Sequence, residues 1–256
     1  MKILKHVLLP LILMSPYAMT ATPGNEPRWY EIELYLFKRN SETDEKWPDP
    51  RPFSSKKALI PLLQNQANLI QKGHVYSSQS MPSQVSKETK PFVLPEQFLQ
   101  FGNSLNYMNK KLNLEPLIHM TWRQGIRSEK FSQPIGLYLG QDFSEKYRMN
   151  GYLISDTKDL SQAVESKVRE LTGSINIYID HYLFVEVDLK LRKESKIERR
   201  THEMLSSLTP SSNSNSFTFL EQIPMQQKKH VRSDEVHYFD HPYLGMILEI
   251  RKIAKN

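Results

Sequence analysis

The chain contains no cysteine. That removes disulfides, a cysteine nucleophile and attachment to a membrane through a lipidated cysteine, so stability has to come from a hydrophobic core. Long apolar runs are missing too. The stretch Val7–Met14 is interrupted by Pro10 and is far short of the roughly 20 apolar residues that a membrane span needs. Glycine is scarce, at 9 in 256 residues, and neither a glycine-rich phosphate loop nor a Gly-x-Ser-x-Gly elbow occurs. Nucleotide chemistry and serine-hydrolase chemistry therefore lack their usual scaffolds.

What is present starts with a leader. Lys2 and Lys5 precede the short apolar stretch, and small or polar residues follow at Ser15, Ala18, Thr20 and Ala21. This three-part pattern predicts a secretory signal peptide over residues 1–21, cleaved between Ala18 and Ala21. The expected location is a bacterial periplasm. Residues 22–256 are then one domain, large enough for a sizeable core. Without Lys2 and Lys5 the balance is 32 basic against 28 acidic residues, so the net charge falls from +6 to +4. That mild excess suits an anionic partner such as cell-wall glycan or a membrane surface, and export argues against nucleic acid.

Hydrophobic periodicity predicts an α+β fold, mainly antiparallel β-sheet with a few helices packed on it. In "RWYEIELYLFKR", Tyr30, Ile32, Leu34 and Leu36 alternate with Trp29, Glu31, Glu33, Tyr35 and Phe37, which is a strand signal. In "GSINIYIDHYLFVEVDLKLRK" two alternating runs change phase at Asp180-His181, where either a tight turn or a bulge is required. "PIGLYLG" and "MNGYLIS" read as short extended pieces. Ser55–Lys72 has helical character, limited by Pro61, and Pro95 opens a second helical stretch through Leu112. Asp156–Leu171 reads as charged loop or partial helix. The serine- and asparagine-rich segment near 193–216 reads as a flexible insert. After it, one strand, a connection and a last strand from Leu244 to Ile253 close the chain.

Candidate chemistry is sparse. His237 and His241 bracket Tyr238-Phe239-Asp240 at the spacing that would place two zinc ligands on one helical face. Pro242 disfavours helix at His241, and the metalloprotease glutamate is missing, so no metal and no cofactor is assigned. A structural polar corner formed by His237, Asp240 and His241, with Pro242 setting the turn, fits better. In "HMTWRQ", Trp122 can stack on a sugar face while Arg123 and Gln124 bond its hydroxyls, or Trp122 is simply core. The acid pairs Glu31/Glu33 and Glu186/Asp188 resemble glycosidase carboxylates only in type; ordinary solvated strand faces account for them, and no catalytic residue is assigned.

Four segments occur in order: "WYEIE" running into "LFKR", "HMTWRQ", "HYLFVEVDLKL" and "RSDEVHYFDHPYLGMILEI". Together they resemble the CsiV family of proteobacterial periplasmic proteins. Gly125, Phe184, Lys228-Lys229 and the serine-rich insert depart from that family's pattern. The resemblance implies a non-enzymatic protein that binds peptidoglycan and supports a bifunctional penicillin-binding protein and its outer-membrane lipoprotein activator. Peptidoglycan offers sugar faces to aromatics and peptide carboxylates to Arg or Lys. The expected ligand-binding residues are Trp29, Trp122, Arg123, Gln124, Lys228, Lys229, Arg232 and Tyr238. Two alternatives stay open: an envelope interaction module that does not touch glycan, and a cell-wall hydrolase.

Overall fold

The structure, a computed structural model, describes residues 27–40, 43–51, 53–60, 70–71, 74–75, 91–154, 167–198 and 216–253. The leader and most of the serine-rich insert lie outside the described residues.

Among the described residues, two main antiparallel sheets share one core, with an α-helix against the outer face of the first. The first sheet has the order β10-β11-β1-β5-β4, built from Val236–Asp240, Leu244–Lys252, Arg28–Lys38, Glu115–Ile126 and Phe92–Val93. The second has the order β6-β7-β8-β9, built from Ile135–Asp142, Arg169–Asp180, Tyr182–Glu198 and Ser216–Val231. Between β1 and β4 the short strands β2 (Ile70–Gln71) and β3 (His74–Val75) pair with each other.

Alternation explains β1. Ile32 stands opposite Ile250 of β11 and Trp122 of β5, and Leu34 opposite Leu248 and Met120. This face meets Leu137, Ile175, Ile177, Val185, Val187 and Leu189 of the second sheet in one continuous apolar cluster. Each fully buried aliphatic side chain contributes about 1.5–3 kcal/mol, so a core of this size replaces the missing disulfides. The phase change at Asp180-His181 is a tight turn. Asp180 pairs with Tyr182 across it, and His181 adopts a left-handed conformation with φ 57°.

Helix α1 (Gly102–Leu112) lies on the other face of the first sheet. Leu105, with Phe101 and Met108, packs on Tyr35, Phe37 and Ile247. The helix stops at Asn113, in a left-handed conformation (φ 49°) that suits asparagine, and Lys110 and Lys111 in its last turn complement the helix dipole. Gly102 begins the helix instead of weakening its interior.

Several expectations change. Residues 55–60 are not helical: Ile60 makes a parallel bridge to Ile135, and 61–69 lie outside the described residues. Residues 149–154 of "MNGYLIS" form no strand; Leu153 makes an isolated bridge to Tyr147. The expected flexible insert starts too early, because 193–198 continue β8 and pair with 216–221 of β9. The expected connection before Leu244 is mostly strand, since β9 runs unbroken through Pro224 to Val231 and Val236–Asp240 forms β10; an edge strand tolerates Pro224 because its N–H side need not be paired. Between β1 and β6 the chain crosses the outer face of the second sheet. Arg51 bonds Gln222 of β9 through its backbone, Lys190 of β8 lies over Phe53, and Ile60 reaches β6.

Candidate functional site

The two acid pairs occupy outer faces of different sheets, and they are not simply solvated. Glu33 has 0% exposure. Its carboxylate accepts hydrogen bonds from the backbone N–H groups of Gln100 (2.9 Å) and Phe101 (3.0 Å) and from Arg251 Nη1 (2.8 Å), with His119 Nε2 at 2.8 Å. Burial pushes this carboxyl up, but those four partners outweigh it and hold it below the usual range. Glu31 is bridged by Arg123 (3.2 Å) and Arg251 (3.0 Å). On the second sheet Glu186 meets Lys228 at 3.0 Å, with Asn176 and Tyr178 also donating to it. Burial raises the Glu186 carboxyl, and Lys228 with Asn176 brings it below its ordinary value. Neither Glu33 nor Glu186 is set up as the proton donor that glycoside cleavage requires.

The expected ligand residues separate. Trp122 is 1% exposed in the shared core, and its indole N–H donates to Gln124 Oε1 at 3.1 Å. It offers no ring face to a sugar, which corrects its assignment as a stacking residue. Lys228 and Lys229, adjacent in sequence, point to opposite faces of β9. Lys228 lies over the Tyr178 and Phe184 rings, whereas Lys229 donates to the Tyr238 carbonyl at 2.7 Å. Arg232, exposed in the β9–β10 turn, pairs with Glu235 at 3.7 Å. Tyr238 is 40% exposed on edge strand β10; it donates to Asp240 at 2.7 Å and stands beside Arg39. Burial and the Asp240 bond push its phenol up to about 12. Trp122 and Tyr238 therefore share no groove.

The histidines hold backbone. His237 Nε2 lies 2.9 Å from the Arg232 carbonyl and 3.1 Å from its N–H, and His241 Nδ1 accepts the Tyr243 N–H at 3.2 Å. Asp240 takes a salt bridge from Arg39 at 2.7 Å. Among the described residues no group of three or more His, Asp or Glu side chains is arranged to hold a metal ion.

Two expected residues, Trp29 and Arg123, share the outer face at the C-terminal end of β5. Trp29 stands opposite Gly125, half-buried beside Phe92 (6.3 Å between ring centroids), and Arg123 lies over the Phe98 ring. A Cβ at position 125 would sit 2.8 Å from Pro27 Cβ, so glycine allows this close approach. Gln124, on the opposite face of β5, lines a cavity of about 440 Å³. Lys57, Arg127, Lys130 and Ser132 line it too, with Ile60 and Ile177 among the apolar residues of its wall. A second cavity, of about 560 Å³, lies where β1 and β6 end and β5 and β7 begin, beside the middle of β8, and mixes Lys38, Arg39 and Lys193 with Glu115, Glu170 and Glu194. Near it Arg192 is buried. Its Nη1 donates to the Arg169 carbonyl, but among the described residues Nε and Nη2 have no partner, and burial pushes its guanidinium down to about 10.

Comparison with known proteins supplies a family. A family model described as "Peptidoglycan-binding protein, CsiV" matches residues 4–253. The chain belongs to the CsiV family. No curated protein and no solved structure gave a match. Seen in this CsiV-family chain, the cationic cavity at the end of β5 is what sequence reasoning missed. Of its polar lining only Gln124 stood in a recognised segment. Lys57 comes from the segment that crosses the second sheet, and Arg127 and Lys130 from the stretch just after β5, two stretches whose local patterns carry no common signal.

Proposed function

We propose that the protein is an exported, periplasmic peptidoglycan-binding protein that does not cleave its ligand. In this reading it supports cell-wall synthesis by a penicillin-binding protein and its outer-membrane lipoprotein activator. The observation that carries the proposal is the match of a peptidoglycan-binding family across 4–253. Two features of the chain agree with it. The half-buried Trp29, with Phe92 and Arg123, presents aromatic and cationic groups of the kind that meet sugar rings and carboxylates. The carboxylates that a glycan hydrolase would need are tied up by Arg, Lys and His partners.

The test is sedimentation of the mature protein with isolated sacculi. It should pellet at low salt, pellet less as salt screens its cations, and release no muropeptides on prolonged incubation. Protein that stays in the supernatant at low salt removes direct wall binding, and muropeptide release removes the non-enzymatic reading. Capture of the synthase and its activator from solubilised envelope tests the assisting role separately.

A further inference from the structure

The cavity at the end of β5 has a charge balance unlike that of the second cavity. Three cations, Lys57, Arg127 and Lys130, line it, and no Asp or Glu is among its described lining residues. The nearest acid in sequence, Glu129, places its carboxylate 3.8 Å from Lys228, on the outer face of the second sheet. Lys57 donates to two neutral acceptors, the Glu129 carbonyl and Ser132 Oγ (2.7 Å). An ammonium has three donors, so one remains. Among the described residues no carboxylate pairs with Lys57 or Lys130. The Gln124 oxygen is already taken by the Trp122 indole, which leaves the amide nitrogen of Gln124 as a donor at the wall. Lys57, Lys130 and a spare amide donor, with no carboxylate paired to either lysine among the described residues, make a receptor for an anion. Ile60 and Ile177 add apolar surface, so the fitting ligand joins an anionic end to an apolar group. At about 440 Å³ the space is in the usual range of ligand pockets and exceeds what a bare inorganic anion fills.

We infer that this cavity is a subsite for a peptide carboxylate, and that it takes the acidic stem peptide of peptidoglycan and not its sugars. The inference rests on the wall-binding reading above. Lys57 and Arg127 hold the carboxylate, Lys130 at the mouth attracts it, and Ile60 and Ile177 pack against the adjoining side chain.

The experiment measures binding of purified disaccharide–tetrapeptide muropeptide to the full mature chain by calorimetry. Three further probes are used: the same muropeptide with its carboxylates converted to methylamides, the peptide-free disaccharide, and inorganic phosphate. The native muropeptide should bind, and the other three should bind at least about tenfold more weakly, the usual loss when a charge-assisted hydrogen bond is removed. Lys130→Gln at an exposed position and Lys57→Gln should each weaken muropeptide binding with an unchanged unfolding midpoint. Equal binding by the methylamide or the disaccharide, tighter binding of phosphate, or unchanged affinity in both variants overturns the inference. If wild type and both variants pellet equally with sacculi, only the subsite fails. If wild type pellets with nothing, the wall-binding reading fails with it.

Discussion

Replacing Glu33 by glutamine tests whether the buried carboxylate organises the outer face of the first sheet. The side chain is fully enclosed and has four donors directed at it: two backbone N–H groups where the 3₁₀ turn Glu96–Phe98 leads into α1, His119 and Arg251. Glutamine keeps one oxygen and places an NH₂ group among donors, so at least one contact becomes repulsive. Breaking a buried ion pair by removing one partner costs about 3–5 kcal/mol. Arg251 retains Glu31 at 3.0 Å and Glu249 at 2.7 Å, which places Glu33→Gln near the lower end, at about 3 kcal/mol. For a domain of this size that lowers the thermal midpoint by about 6–12 °C. Urea unfolding followed by circular dichroism measures it, with Glu31→Gln, whose carboxylate is bridged by two arginines but takes no backbone N–H, expected to cost less than Glu33→Gln. The acid limb gives a second readout. The folded Glu33 carboxyl lies below 4.5, its ordinary value, so its stabilisation is fully present above that pH and is lost as pH falls through the lower folded value. In Glu33→Gln this part of the acid limb should disappear. A variant within about 1 kcal/mol of wild type that keeps the wild-type acid limb would refute the role given to this group.

Trp122→Ala should cost about 3–5 kcal/mol through loss of a buried aromatic, while the binding of whatever fraction remains folded is unchanged, as sacculus sedimentation at low temperature would show. Arg192→Met should leave stability equal or higher in urea unfolding, because a buried guanidinium with two nitrogens unpartnered among the described residues is replaced by an apolar side chain; a loss above about 2 kcal/mol would argue that its bonds to Arg169 and Thr172 outweigh that burial. Gly245→Ala should cost about 1–3 kcal/mol by the same measurement, since its Cβ would lie 2.2 Å from the Phe37 ring, itself buried and unable to yield.

Strands with clear alternation were legible: β1, β7, β8 and β11 each bury one face in a common core, and period two reports that directly. Of the stretch read as helical from Pro95 to Leu112, Gly102–Leu112 is α-helix, with Leu105 and Met108 laid on Tyr35 and Phe37, while Glu96–Phe98 forms only a 3₁₀ turn. Two kinds of information were not local. Glu33 looks wet in sequence because it sits on the polar side of β1; only the distant segment of Gln100 and Phe101, folded back over it, makes that side dry. The cavity cations were invisible for the same reason, since Lys57 and Lys130 are brought together by the crossing segment and the 3₁₀ turn at Glu129–Phe131. Pro224 and the charged residues 193–198 misled in the other direction. Composition disfavours strand there, but pairing along the whole length of β8 supplies the support that local propensity lacks.

The neighbouring lysines of β9 have a consequence for solubility. Two open sheets leave unpaired borders on which another chain can dock, strand against strand. Here the borders of β9 and β10 face each other, and the β10 carbonyls of Tyr238 and Asp240 are taken by Lys229 and Gln227 side chains. This zipper of side chains occupies acceptors that would otherwise template polymerisation. It lets a chain without covalent cross-links leave both sheets unclosed by backbone pairing while guarding that border against a second copy.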